Sequence, residues 1–316
     1  MQTMENRRLG RTDLQVSLVG LGTGGPSNLG QNTGVSPTDA SNLVRHALDL
    51  GINLIDTSEA YGESEAILGQ GLRGVPRERY VLATKFFNYQ GETGLRPAGT
   101  LTRALDGSLQ RLGVDYVDVY QLHGVRPGRY QPVVEQYLPE LRRCQEQGKC
   151  RFLGLSEFYM EDGPHATLRS TLADEHFDTI MVGYNLLGGN ARRFVLPEAH
   201  RRDVGVLVMF AVRQALSRPD ALRATITELK ARGVLAPDAV PDDDPLGWLV
   251  HDDVPSVVSA AYKFAAAHPA VSSVLTGTGN REHLEENVRS MLGPPLPAAD
   301  YERLLAIFGP VNEPVG

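Results

Sequence analysis

Asp39–Leu72 reads DASNLVRHALDLGINLIDTSEAYGESEAILGQGL. Leu43, Val44, Ala47 and Leu50 recur at helical spacing, and Gly51 follows as a C-terminal stop. Ile52–Ile55 is a short apolar strand. Glu63–Leu72 returns to helical spacing, with Ala66, Ile67 and Gly71 on one side. A strand thus sits between two helices and ends on a carboxylate, Asp56.

The same unit repeats outward from this stretch. Further strands are expected at Val16–Gly20, Tyr80–Thr84, Val117–Leu122, Phe152–Leu155, Thr179–Tyr184, Val206–Phe210 and Val271–Leu275. Helices are expected near Leu101–Leu112, Val133–Gln147, Ala166–Ala173, Leu196–Arg202, His283–Met291 and Asp300–Phe308. Strands that are apolar almost throughout imply a parallel sheet covered by helices. Eight such units without a break in composition imply a (β/α)8 TIM barrel, one domain spanning residues 1–316. Arg7–Ser17, broken by Gly10 and Asp13, is expected to form an N-terminal β-hairpin. Ser217–Ser256, rich in Pro, Asp and Gly, reads as a loop insertion with some helix.

Bulk properties narrow the function. The chain has 316 residues, of which 41% are hydrophobic and 22% charged, enough for a large core. A net charge of -7, with no basic run, excludes an electrostatic footprint for nucleic acid. No apolar stretch approaches the roughly 20 residues of a membrane span. Met1–Arg11 is polar and reads neither as signal nor as transit peptide. Cys144 and Cys150 are the only cysteines, which points to a reducing cytoplasm and no disulfide framework. The eight histidines are scattered and give no metal-ligand spacing.

Gly20–Gly25 (GLGTGG) fits the letters G-x-G-x-x-G after a strand. A dinucleotide fingerprint needs its third glycine inside a starting helix. Here Pro26, Ser27, Asn28 and Gly30 follow, which is loop composition. The glycines are expected to turn the backbone tightly over a ligand at the barrel mouth.

Functional groups of a barrel sit at the carboxyl ends of its strands. Asp56, Lys85 and His123 end three consecutive strands, and Tyr61 lies five residues past Asp56. Each has an ordinary explanation taken singly: a helix cap, a solvated lysine, a packed tyrosine or histidine. Four such residues at corresponding positions of adjacent units point to a site. A lysine at an apolar barrel mouth needs a partner, and Asp56 supplies one. An ammonium beside a phenol lowers the tyrosine pKa and makes Tyr61 a proton donor and acceptor. His123 can hold a carbonyl oxygen. The set suits a carbonyl that gains a hydride on carbon and a proton on oxygen, with the hydride coming from a nicotinamide cofactor.

Several motifs resemble those of the aldo-keto reductases. They are LGINLIDTSEAYG (Leu50–Gly62), ATK (Ala83–Lys85), QLH (Gln121–His123), LGRTDLQVSLVGLGTG (Leu9–Gly24) and LTGTGNREHLEENV (Leu275–Val288). The resemblance covers nearly the whole chain, in the style of the family's bacterial, sugar-dehydrogenase-like branch. It implies NADP or NAD bound across the mouth and reversible carbonyl–alcohol interconversion of a small carbonyl or sugar substrate, an aldose or lactol included. By that resemblance Tyr61 is the general acid-base, Asp56 and Lys85 tune it, and His123 positions substrate. Gly22 and Thr23 are cofactor-binding positions in the first loop. Phe210 stands where the family stacks an aromatic ring on the nicotinamide, or is an ordinary core residue. Gly277, Thr278, Gly279, Asn280 and Arg281 match the loop that holds the adenosine phosphates, and Glu286 and Asn287 match the adenine contacts.

Departures are informative. The family's Ser-Asn after strand 5 is Ser156-Glu157 here, and its strand-6 glutamine is Met181. A carboxylate accepts from the carboxamide nitrogen but cannot donate to its oxygen unless protonated, so the carboxamide is held differently or more weakly. Arg213 can reach the cofactor pyrophosphate or an anionic substrate, or is a surface residue. Gly277, Gly279 and His283 stand where relatives carry Lys or Arg, which implies relaxed or NAD-leaning cofactor choice. The alternative function is a cofactor-binding regulatory subunit, or an isomerase, with little net turnover.

Overall fold

The computed structural model describes residues 3–91 and 94–315. Met1 and Gln2 of the polar N-terminal stretch, and Gly316 at the end of the expected domain, lie outside the described residues. A hairpin of β1 (Asn6–Arg8) and β2 (Gln15–Ser17) comes first. Then follow β3 (Val19–Gly22), α1 (Pro37–Asp49), β4 (Leu54–Asp56), α2 (Ser64–Gly71) and β5 (Val81–Phe87). A small hairpin of β6 (Tyr89–Gln90) and β7 (Gly94–Leu95) precedes α3 (Thr100–Leu112), β8 (Val117–Val125) and α4 (Tyr130–Glu146). Next come β9 (Cys150–Glu157), α5 (Ala166–Asp174), β10 (Thr179–Gly183), α6 (Leu196–Arg201) and β11 (Gly205–Met209). The chain ends with α7 (Gln214–Ser217), α8 (Pro219–Ala231), α9 (Val257–Ala266), β12 (Ser273–Thr276), α10 (Arg281–Leu292) and α11 (Ala298–Phe308).

Eight strands close into a parallel barrel in the order β3, β4, β5, β8, β9, β10, β11, β12, and β12 pairs back onto β3. This is the (β/α)8 barrel expected, with its N-terminal hairpin. Sequence dictates each unit locally. In α1, Ser36 caps the first turn by accepting from the Asp39 N–H, and Ala40, Leu43, Val44, Ala47 and Leu48 form the buried stripe. Gly51 ends the unit at φ 87°, a conformation that glycine adopts without Cβ strain.

Leu9 and Val16 of the N-terminal hairpin pack with Leu54, Val81, Ala83, Val119, Met181 and Leu207, which face the barrel axis. The hairpin therefore plugs the end where strands begin and leaves the opposite end as the mouth.

Two expectations shift. Val16–Gly20 was expected as one strand, but Val16 and Ser17 belong to the hairpin and the barrel strand starts at Val19. An unbroken apolar run does not mark a change of sheet. The expected insertion holds helix α8, and α9 just beyond it was not expected. Ser259–Ala266 of α9 are all buried, Lys263 included, and the helix is apolar on average, so it reads as continuous core sequence beside the Pro- and Asp-rich stretch. The segment after Gly25 is turns and a short 3-10 helix, and α1 starts only at Pro37, as the loop composition implied.

Candidate active site

Strand register brings the polar strand ends together. Gly22 lies beside Asp56, Asp56 beside Ala83, Lys85 beside Gln121 and Phe87 beside His123. The Lys85 Nζ donates to Asp56 Oδ2 at 2.5 Å and to the Thr57 carbonyl at 2.7 Å. Gln121 Nε2 donates to Asp56 Oδ1 at 3.0 Å. Lys85, Asp56 and Gln121 are all buried. Tyr61 leans over this group, with Lys85 Nζ 4.9 Å from its ring centre. The Tyr61 hydroxyl is 3.2 Å from His123 Nε2, and the two rings meet edge to face at 5.4 Å. Gly24 holds the ring from the other side. A Cβ there would lie 2.5 Å from the Tyr61 ring, so only glycine lets the backbone come this close.

Burial sets the protonation states. It pulls the Lys85 pKa down, but Asp56 and Tyr61 outweigh it, and the ammonium is held charged. Burial raises Asp56, and Lys85 and Gln121 oppose it. Burial, reinforced by the Lys85 charge, pushes His123 down to about 3, so its imidazole is neutral. Tyr61 differs from expectation. Lys85 does favour the phenolate, but burial of the phenol is the larger effect and the net direction is upward. In the protein without ligand, Tyr61 is a protonated donor.

Sequence reasoning missed three members of this neighbourhood. Gln121 opens the QLH stretch that ends in His123. The period-2 spacing from His123 puts both on the same barrel face, and this was the available signal. Ser58, fully buried, lies 3.0 Å from His123 Nδ1. Asn88 Nδ2 donates to the His123 carbonyl at 2.6 Å.

The expected cofactor positions fall into two groups. Thr23 is fully buried next to the Asp56–Lys85–Tyr61–His123 group. Its N–H bonds the Asp56 carbonyl at 3.0 Å, and its hydroxyl has no partner among the described residues. Ser156 accepts from the Gly124 N–H and keeps its own hydrogen to donate. Asn280 caps α10 by accepting from the His283 N–H at 3.1 Å, and Thr278 braces the loop by accepting from the Asn280 N–H. Gly277 and Gly279 lie against the Gly22–Gly30 loop. A Cβ at Gly279 would meet the Gly30 backbone at 2.4 Å. Arg281 is exposed and, among the described residues, bonded only to Glu285 on its own helix. Arg213 stacks on Phe210 with its guanidinium carbon 4.6 Å from the ring centre and bonds the Met160 sulfur, with no carboxylate partner among the described residues.

The second group points elsewhere. Glu157 is buried and engaged, accepting from the Gly183 N–H at 2.8 Å and lying 2.8 Å from His165 Nδ1. Met181 packs in the barrel interior. Asn287 turns inward and donates to Thr276 Oγ1 at 2.6 Å, while Glu286 is exposed. Phe210 sits at φ 63°, a left-handed conformation costly for an aromatic residue, with the Tyr159 ring 5.7 Å away. Trp248 packs under Arg303 of α11.

These residues fit a nicotinamide dinucleotide at its phosphates and reacting end. The unpartnered Thr23 hydroxyl, the Ser156 hydroxyl, the Arg213 cation and the capped N-terminus of α10 offer donors and positive charge to an anionic chain. At the carboxamide, Ser156 alone of the expected three has a hydrogen free to donate.

The family model described as Aldo/keto reductase family matches residues 19–308. The chain belongs to the aldo/keto reductase family. L-galactose dehydrogenase of Arabidopsis thaliana is 31% identical over 92% of this chain and 89% of that protein. An uncharacterized oxidoreductase of Bacillus subtilis (strain 168), YqkF, is 26% identical over 91% of both. Among solved structures, the holo form of aldo-keto reductase AKR11C1 from Bacillus halodurans covers 96% of each chain, with 26% identity and a TM-score of 0.73. This aldo/keto reductase is accordingly an NAD(P)-dependent oxidoreductase. No helix among the described residues is long and apolar enough to cross a membrane.

Proposed function

We propose that Tyr61, His123, Lys85 and Asp56 carry out reversible reduction of a small, sugar-like carbonyl, or oxidation of the corresponding alcohol or lactol. The observation behind this is the Tyr61 hydroxyl 3.2 Å from His123 Nε2, above a buried Lys85–Asp56 ion pair. The bound nicotinamide supplies or accepts the hydride. Tyr61 gives its phenolic proton to the carbonyl oxygen in reduction and takes it back in oxidation. Lys85 stabilises the phenolate left behind, because its charge is fixed by Asp56 behind it. His123 is neutral and holds the same oxygen in line with Tyr61.

The sugar reading draws on the L-galactose dehydrogenase relative and on the aromatic rim. Phe87 is 42% exposed and lies edge to face with His123 at 6.0 Å, a surface for the C–H face of a sugar ring. For the cofactor, a relaxed or NAD-leaning choice fits the first turns of α10. They carry Glu282, Glu285 and Glu286 against the single cation Arg281, an unfavourable field for an extra 2′-phosphate. Apparent affinities for NADH and NADPH test this, and a large NADPH advantage overturns it. A cytoplasmic location fits the two cysteines, both free and buried. One barrel domain over the full length fits the β3–β12 pairing, which joins the two ends of the chain in one sheet.

The test of the central reading is nicotinamide absorbance with a panel of aldehydes, ketones and aldoses in both directions. Tyr61→Phe is expected to lose turnover by about 10²–10⁴-fold with cofactor affinity intact. Near wild-type rates in that variant would remove Tyr61 from the chemistry.

A further inference from the structure

We infer that Ser58 is a positioning residue that holds His123 in the tautomer with its proton on Nε2. Ser58 lies two residues after Asp56 in the β4–α2 loop, fully buried. Its Oγ accepts from the Ala60 N–H at 3.2 Å and lies 3.0 Å from His123 Nδ1. Among the described residues these are its two partners. The assignment rests on the proposed role of Tyr61 and His123 and deepens it.

Hydrogen-bond accounting decides the tautomer. A hydroxyl has one hydrogen to donate and two lone pairs. If His123 carried its proton on Nδ1, Ser58 Oγ would accept twice and its own buried hydrogen would have no acceptor. His123 Nε2 would then be a bare lone pair facing Tyr61 and would draw the phenolic proton toward itself, away from a substrate. If the proton is on Nε2, Ser58 donates to Nδ1 and its fully buried hydrogen has an acceptor, while the phenolic hydrogen sits on the part-exposed Tyr61 at the mouth. Nε2–H then donates to the Tyr61 oxygen, and the phenolic proton is left for a substrate oxygen. The penalty for a stranded buried hydroxyl biases the equilibrium about tenfold or more toward Nε2–H. A doubly protonated ring is excluded by burial and by the Lys85 ammonium nearby. The second-ring-nitrogen partner is a common device for fixing an imidazole, and here a serine of the strand-to-helix loop provides it.

The reading is tested by long-range ¹H–¹⁵N spectra of the cofactor-free protein carrying ¹⁵N-histidine, with His123 assigned through His123→Gln. The wild type is expected to show a bare Nδ1 and a protonated Nε2. Ser58→Ala is expected to move both nitrogens toward a tautomer mixture, and Ser58→Thr to restore the wild-type pattern. Turnover should fall roughly tenfold in Ser58→Ala through kcat, with cofactor affinity unchanged and recovery in Ser58→Thr. A protonated Nδ1 in the wild type, or an Ser58→Ala spectrum unchanged from wild type, overturns the inference. The wild-type spectrum decides even if a variant fails to fold. The proposed chemistry is tested apart from it: wild-type turnover in Tyr61→Phe, with the tautomer as expected, removes the reaction and leaves the Ser58 assignment standing.

Discussion

Replacing Lys85 by methionine isolates the buried charge beneath the mouth. Wild-type Asp56 is 3% exposed and has two side-chain donors, Lys85 at 2.5 Å and Gln121 at 3.0 Å. Methionine keeps most of the lysine's apolar volume and removes the ammonium, leaving a buried carboxylate with one neutral donor. Removing one partner of a buried ion pair costs about 3–5 kcal/mol. The carboxyl can avoid part of that cost by binding a proton. Its folded-state pKa is already raised by burial, and the loss of Lys85, which opposes the rise, lifts it further. The unfolded value is about 3.9. A folded pKa above the unfolded one gives stability that is fully present at low pH and lost as pH rises through the folded pKa. The deficit of Lys85→Met relative to wild type should therefore be largest near pH 8 and shrink toward pH 5. Its slope is bounded by the ~1.4 kcal/mol per pH unit of one proton. Urea unfolding at a series of pH values measures it. A deficit below about 1 kcal/mol at pH 8, or one that grows on acidification, would refute the picture of a buried pair.

Other perturbations follow from the same geometry. Gly24→Ala places a Cβ 2.5 Å from the Tyr61 ring. It should cost about 1–3 kcal/mol by overpacking and lower kcat by displacing the ring, read by unfolding and by steady-state rates. Asn280→Ala removes the cap of α10. It should cost about 1 kcal/mol and weaken dinucleotide binding, measured by fluorescence titration. His123 is neutral down to about pH 3. The pH profile of kcat/KM should therefore show no histidine limb between about pH 5 and 8, and a limb there that vanishes in His123→Gln would contradict the burial argument. Arg281→Ala should weaken NADPH more than NADH, because Arg281 is the one cation in the first turn of α10.

The sequence determined the barrel and most of its candidate site because both are written locally. Glycine stops, capped helices such as Ser36–Asp49 and apolar strand runs are short-range signals, and each strand end is a fixed offset from them. Asp56, Lys85 and His123 were legible because they break apolar runs toward the carboxyl ends of their strands, although β5 and β8 run on two residues past Lys85 and His123. The departures at Glu157 and Met181 were legible as letters, but their placement was not. Tertiary packing decided that Glu157 is engaged by His165 and Gly183 and that Met181 faces the plugged barrel interior. It also decided the direction of the Tyr61 shift, since desolvation depends on everything packed around the ring, and a sequence shows only the neighbouring lysine. Helix α9 stayed hidden because it is short, apolar on average and directly follows a Pro- and Asp-rich stretch. Ser58 stayed hidden because its partner lies sixty-five residues away and is brought to it only by the barrel register.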